Sequence, residues 1–342
     1  MRLNFPYSAT RVLMLSGLVI LLMATTISAQ DIHFSQYLSA PFNLNPSFTG
    51  AFDGDYRIIG NYRNQWNSIT VPYRTFGISA DVANAAKVRD LGLGAALFSD
   101  QTGDSRYTTT VFQISGAYSY PLTLDSAHKI HFGLQPSVVM QSLNMNSLYF
   151  DNQYNEQVGK FDPSLPTGEN FSRNSVSWVT MAAGLRYTYD LDARNRLDVG
   201  LAAYNLIGAK NTIDNGEERL QRRYNLHGNF QFKAFQKIDL IPGFLYSLQG
   251  KSRNLVTGMS GRYLYNSSMA FHAGMWYRNK DAGFITVGMT YQTFYMGLSY
   301  DMTTSKLRTA SKGKGAFELS IIYVIRKFKP VNGKYLTCPS YL

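Results

Sequence analysis

Cysteine is nearly absent from this 342-residue chain: only Cys338 occurs, close to the C-terminus. No internal disulfide can form, no CxxC pair exists, and no zinc-type cluster is available. Charge is also sparse, with Asp, Glu, Lys and Arg making 16% of residues against 14% aromatics. The formal net charge is +11, but the basic residues stand singly between apolar ones. A nucleic-acid binder gathers Lys and Arg on one face, so nucleic acid is not expected as a partner. Phosphate-loop and hydrolase signatures are missing too. Gly250-Lys251-Ser252 has Leu245 where the loop needs its first glycine, and no G-x-S-x-G occurs. His128 and His131 fall on opposite faces of a strand, which excludes a shared metal. Asp100 to Asp104 lacks the remaining ligands of a calcium loop and reads as a turn. Neither a catalytic residue, a cofactor site nor a metal site is expected, and the chain does not read as an enzyme.

Long hydrophobic runs are also lacking. The longest, Val12 to Met23, is shorter than the ~20 residues a helix needs to span a bilayer. With Arg2 and Arg11 before or at its start and Ile27-Ser28-Ala29 after it, this run reads as a signal peptide over residues 1–29, leaving Gln30 first. No cysteine follows it to carry a lipid anchor. A mature chain without an apolar helix is then either soluble outside the cytoplasm or a membrane β-barrel.

Tyrosine, glycine and serine are plentiful, and they are arranged with a period of two. Val179, Met181, Ala183, Leu185 and Tyr187 alternate with Trp178, Thr180, Ala182, Gly184 and Arg186. Phe294, Met296, Leu298 and Tyr300 alternate with Tyr295, Gly297, Ser299 and Asp301. Successive strand residues point to opposite faces, so each segment has one greasy and one wet side. Fourteen such segments are expected, at about 54–64, 72–82, 90–100, 106–120, 128–140, 177–189, 195–206, 221–234, 237–247, 253–265, 269–279, 283–291, 292–302 and 315–327. Their length suits a tilted bilayer crossing better than the short strands of a two-domain sandwich. Tyr118 with Tyr120, Tyr187 with Tyr189, and Tyr263 with Tyr265 close the apolar faces as interfacial girdles.

The expectation is an all-β, transmembrane, antiparallel up-and-down barrel over 54–327. A plug or strap over 30–53 precedes it and a periplasmic tail over 328–342 follows. An even strand count places both termini in the periplasm, and the longest connection, about 141–176, then lies outside the cell. Pro41 and Pro46 exclude 30–53 from a regular central strand. Phe34, Tyr37, Phe42 and Phe48 would anchor that segment in the lumen or at its mouth. Arg63, Asp81, Arg186, Asp198, Arg278, Asp301 and Glu318 fall on the wet face. They are read as mutually paired charges holding a closed barrel, or else as a pore lining or partner seat. Arg222, Arg223, Lys306, Arg308, Lys312 and Lys314 are read as outer-loop cations facing water or the phosphates of lipopolysaccharide. Arg326, Lys327, Lys329 and Lys334 face the periplasm.

Several short motifs carry a family resemblance. Gln30-Asp31-Ile32-His33-Phe34-Ser35-Gln36-Tyr37 is followed by Asn45-Pro46-Ser47-Phe48-Thr49-Gly50 and by Tyr62-Arg63-Asn64-Gln65-Trp66. Later come Ser79-Ala80-Asp81, Asp100 with Gly103, Gly274-Met275-Trp276-Tyr277-Arg278, Gly297-Leu298-Ser299-Tyr300-Asp301 and Phe317-Glu318-Leu319. The chain resembles the PorP/SprF family of the type IX secretion system. The resemblance implies a non-enzymatic, multi-pass barrel in the outer membrane of a Gram-negative bacterium, linked to secretion and in some relatives to gliding. Its partners would be outer-membrane lipid and lipopolysaccharide, and either secretion-machinery subunits or the C-terminal domain of a secreted adhesin. Candidate lumen or partner contacts are Phe34, Gln36, Tyr37, Asn45, Pro46, Arg63, Trp66, Asp81, Arg186, Arg278, Asp301 and Glu318. A porin-like solute channel is the alternative, and Cys338 is an idle thiol or a bridge to another chain.

Overall fold

A computed structural model describes residues 32–66, 71–103, 105–144, 148–155, 157–162, 164–168, 174–208, 220–305 and 308–327. The proposed leader, Asp104, Lys306, Lys329, Lys334 and Cys338 lie outside the described residues.

Fourteen strands close into one antiparallel barrel. Five come first: β1 (Tyr56–Gln65), β2 (Tyr73–Val82), β3 (Leu91–Thr102), β4 (Tyr107–Pro121) and β5 (His128–Ser142). A two-stranded ribbon, β6 (Tyr154–Asn155) and β7 (Lys160–Phe161), stands in the long connection and belongs to a separate sheet. Nothing in the sequence signalled it. The barrel resumes with β8 (Ser175–Asp190), β9 (Arg196–Tyr204), β10 (Arg223–Lys233), β11 (Ile238–Gln249) and β12 (Ser252–Leu264). It ends with β13 (Met269–Arg278), β14 (Ala282–Tyr291), β15 (Phe294–Thr303) and β16 (Lys314–Ile325). Each strand pairs with the next, β5 pairs with β8 across the loop, and β16 returns to β1 with Tyr56 opposite Ile325. Closure leaves no unpaired edge, which is the condition for strands to sit in hydrocarbon.

The period-two pattern becomes two surfaces. On β2, Thr75, Ser79 and Asp81 are buried inward, while Phe76 and Ile78 are about half exposed. Ile114, Phe132, Leu134, Val179, Leu201 and Val287 extend the same outward belt, each more than half exposed. An apolar belt of that extent is unsuited to water and suited to lipid tails. Among the described residues no helix is long and apolar enough to cross a membrane.

Two prolines mark where the ladder lapses. Pro136 has no N–H to give β4, and the β4–β5 pairing skips between Gln113–Ser137 and Gly116–Leu134. Pro242 does the same between Asn229–Gly243 and Phe232–Leu240. The connections are unequal at the two ends. Those on the side of Tyr56 and Ile325 span 83–90, 122–127, 191–195, 234–237, 265–268 and 292–293. The opposite end carries the three longest, 143–174, 205–222 and 304–313, beside the shorter 66–72, 103–106, 250–251 and 279–281. Gly250, at φ +55°, and Lys251 form a turn between β11 and β12, so the phosphate-loop fragment is a hairpin.

Val287 sits midway along β14 and faces outward, 52% exposed. Val287→Arg is expected to cost about 2–4 kcal/mol, the penalty for a cation at the bilayer midplane. Reversible urea unfolding in lipid vesicles would measure it; a cost near zero would mean that lipid does not touch this face.

Candidate functional site

The lumen is occupied by the chain's own N-terminal segment, residues 32–55. Its regular structure is a one-turn helix at Pro41–Leu44 between two 3-10 turns, Tyr37–Ser39 and Pro46–Phe48. Pieces this short have no stability of their own, so the barrel wall dictates their shape. Local chemistry helps at Asn45, whose Oδ1 accepts from the Ser47 amide at 3.0 Å and from the Ser47 hydroxyl at 2.7 Å. That caps the second 3-10 turn, and Pro46 takes the first position, where a missing N–H costs nothing.

Three groups of wall side chains hold the segment. The first surrounds Ser35. Glu318 on β16 accepts the Ser35 amide at 2.6 Å and the Gln36 amide at 2.9 Å. The Ser35 hydroxyl lies 2.8 Å from both oxygens of Asp301 on β15. It also receives Arg63 of β1 at 2.8 Å and Arg278 of β13 at 2.6 Å. Arg63 pairs with Glu318 and, at 3.2 Å, with Asp301; Arg278 reaches Asp301 at 3.3 Å. Two cations thus face two anions, all four at most 3% exposed, with a serine at their centre.

The second group holds residues 45–50. Arg57 of β1 forks onto both oxygens of Asp81, and Asp81 accepts the Gly50 amide at 2.7 Å. Arg57 also donates to the Phe48 carbonyl at 3.0 Å. Arg186 of β8 pairs with Asp198 of β9 at 2.6 Å and lies 4.3 Å over the Phe48 ring. Asn45 Nδ2 donates to the carbonyls of Leu185 and Leu201 and meets His227 Nε2 at 3.1 Å. These approaches require bare backbone in the wall. A Cβ on Gly133 would stand 2.4 Å from the Pro46 carbonyl carbon, and one on Gly184 would stand 1.9 Å from Asn45 Oδ1.

The third group is apolar. Phe34 and Phe42 cluster with Phe98 of β3, and Tyr37 meets Trp276 of β13 edge-on at 5.6 Å. Burial pushes the Tyr37 phenol above its ordinary range. Burying each phenylalanine contributes about 1.5–3 kcal/mol.

Among the residues singled out in the sequence, Phe34, Gln36, Tyr37, Asn45, Pro46, Arg63, Asp81, Arg186, Arg278, Asp301 and Glu318 converge on this seat. Trp66 does not: it lies past the end of β1, donates its amide to Gly315 and packs edge-on against Tyr73 at 4.8 Å. Arg223 is also placed differently from its reading as an outer-loop cation. It opens β10, lies 4.2 Å over the Tyr204 ring and donates to the carbonyls of Ile32 and Asn43. The strand expected over 221–234 already contained Arg223, and the outer-loop reading overlooked its inward phase. Ser35, Arg57, His227 and Asp239 were missed. Arg57 was legible as the inward neighbour of Tyr56 and Ile58. Asp239 binds Arg262, its cross-strand neighbour on β12, at 2.5 Å and also Arg194 from the β8–β9 connection. At the terminal end, Arg326 pairs with Asp53 at 2.7 Å and Lys327 donates to the Tyr56 hydroxyl.

Cavities of about 550 Å³ at the terminal end and about 510 Å³ at the opposite end share no lining residue. Among the described residues no group of His, Cys, Asp and Glu could hold a metal ion.

A membrane β-barrel whose lumen is filled by its own N-terminal segment is thus the class that fold and site define. The profile of the type IX secretion system membrane proteins PorP/SprF matches residues 26–323. The chain belongs to the PorP/SprF family, and its closed barrel is of the outer-membrane kind. No curated protein sequence matches it. Solved structures similar to it include the Ralstonia pickettii toluene transporter TbuX, with 13% identity, a TM-score of 0.49 and coverage of 83% of this chain and 92% of that one. The CymD monoaromatic hydrocarbon channel has 12% identity, a TM-score of 0.48 and the same coverage of each chain. The Pseudomonas putida toluene transporter TodX has 14% identity, a TM-score of 0.45 and coverage of 86% and 94%.

Removing one partner from a buried ion cluster leaves an uncompensated charge and costs about 3–5 kcal/mol. Glu318→Ala also orphans the Ser35 and Gln36 amides, so protease is expected to trim the N-terminal segment of the folded variant and spare the parent. Gly133→Val should do the same by steric exclusion. Equal resistance in all three proteins would mean that these contacts do not seat the segment.

Proposed function

We propose that this protein is a plugged, non-conducting and non-enzymatic barrel that serves type IX secretion by holding protein partners. The observation that carries this reading is the occupied lumen: residues 32–55 lie between two cavities and are hydrogen-bonded to buried charged side chains of the wall.

In this reading both termini face the periplasm. The three longest connections, 143–174, 205–222 and 304–313, all lie at the end opposite Tyr56 and Ile325, the asymmetry usual for outer-membrane barrels. The mouth near Asp53 and Arg326 then faces periplasmic machinery, and the long connections face the medium, where the C-terminal domain of a secreted surface protein would be met. Arg222, Arg308, Lys312 and Lys314 lie at that outer end and suit the phosphates of lipopolysaccharide.

Two measurements test the proposal. In planar bilayers the intact protein should give no steady conductance, and a variant lacking residues 31–50 should conduct. A tagged pull-down from solubilised outer membrane should recover either a periplasmic machinery subunit or a secreted C-terminal domain, which tells the two partner classes apart. Steady conductance by the intact chain, with neither partner recovered, would favour a porin-like channel instead.

A further inference from the structure

The cavity at the end opposite the termini has a built wall that the plug covers only at its Phe98–Val111 edge. Four inward residues stand side by side across β3, β4, β5 and β8: Phe98 beside Val111, Val111 beside Val139, and Val139 beside Trp178. With strands about 4.8 Å apart, they form an apolar stripe about 14 Å long. A polar row runs two residues to either side, about 7 Å away along the strands. On the outer side it is Asp100, Thr109 and Gln141; on the inner side it is Gln113, Ser137 and Thr180. The cavity over this wall holds about 510 Å³, within the range of small-molecule sites.

Several polar atoms on the wall are buried without a protein partner. They are Gln113 Oε1, Gln141 Oε1, Trp178 Nε1 and Thr180 Oγ1, on residues no more than 9% exposed. A buried donor or acceptor left unpaired is costly, so these atoms favour an occupant that brings hydrogen-bonding groups of its own. The two charges are already engaged. Asp100 accepts the Thr75 hydroxyl at 2.6 Å, and Arg223 is held by Ile32 and Asn43.

We propose that this cavity binds one or two neutral sugar rings of a surface glycan. A pyranose presents an apolar C–H face rimmed by hydroxyls that both donate and accept. The face matches the Phe98–Trp178 stripe, and the rim matches amide and hydroxyl rows on both flanks. A hydrocarbon would leave all four unpaired atoms unmet. A charged ligand would find no free counter-charge. A peptide cannot add as a strand, because every strand of a closed barrel is already paired. Ile32 and Asn43 of the plug line one side of the cavity, and the two readings are separated by measurement: glycan retention tests this site, whereas conductance and pull-down test partner holding. The glycan's source is a surface lipid or a glycosylated secreted protein.

The test presents the purified mature protein in detergent to immobilised neutral glycans ending in glucose, galactose, mannose, rhamnose or the N-acetylhexosamines. Saturable retention on at least one is expected. The double variant Thr180→Val with Gln113→Leu should bind at least tenfold more weakly while melting at the parent temperature, and Lys251→Ala in the β11–β12 turn, away from the cavity, should bind as the parent does. Competition by polysaccharide released from lipopolysaccharide would assign the sugar to lipid; competition by glycopeptides of the secreted fraction would assign it to protein. Retention on no glycan would overturn the proposal, as would equal retention of parent and double variant. Variant-sensitive retention on uncharged peptides alone would overturn it in favour of a peptide seat.

Discussion

The carboxylate of Glu318, buried in the barrel lumen, accepts two consecutive backbone amides from a segment 282 and 283 residues away in sequence. Much of the structure is arranged around the possibility of that contact. A closed cylinder of strands solves the backbone problem in lipid but leaves a wet interior lined with Asp, Glu and Arg. Those charges need partners, and the short N-terminal segment needs a mould. Each supplies the other. Arg63 and Arg278 balance Glu318 and Asp301, and the Ser35 hydroxyl completes the four-charge cluster from within.

Seen this way, motifs scattered along the chain describe one place. His33-Phe34-Ser35-Gln36-Tyr37 brings the serine and both amides. Tyr62-Arg63-Asn64-Gln65, Gly274 to Arg278, Gly297 to Asp301 and Phe317-Glu318-Leu319 each bring one charge to it. Ser79-Ala80-Asp81 meets Asn45 to Gly50 through the Gly50 amide. Each motif is short because only the inward residue of a strand reaches the lumen, and its neighbours face lipid.

The architecture was legible for the same reason. Alternation over ten or more residues fixes which side of a strand is wet, so all fourteen crossings and the inward phase of Arg63, Arg186, Asp301 and Glu318 could be read locally. What could not be read required closure. Asp239 gathers Arg194 and Arg262 from separate elements, and Asn45 reaches the carbonyls of Leu185 and Leu201 through gaps left by glycine. Arg223 was misplaced because a strand's first residue borders a loop, where alternation has not yet begun. Trp66 was grouped with Arg63 by proximity in sequence, yet it lies beyond the last inward position of β1. The partner cannot be read in the same way, since the seat described here is filled by the chain itself.

Hydrogen exchange of the protein in lipid vesicles tests the central claim most directly. If Ser35 and Gln36 donate to Glu318 inside a closed lumen, their amides will exchange as slowly as those of β1 and β16, and the Glu318→Gln variant will exchange faster at those two positions. Exchange of both amides within seconds in the parent protein, beside protected strands, would show that the segment does not occupy the barrel.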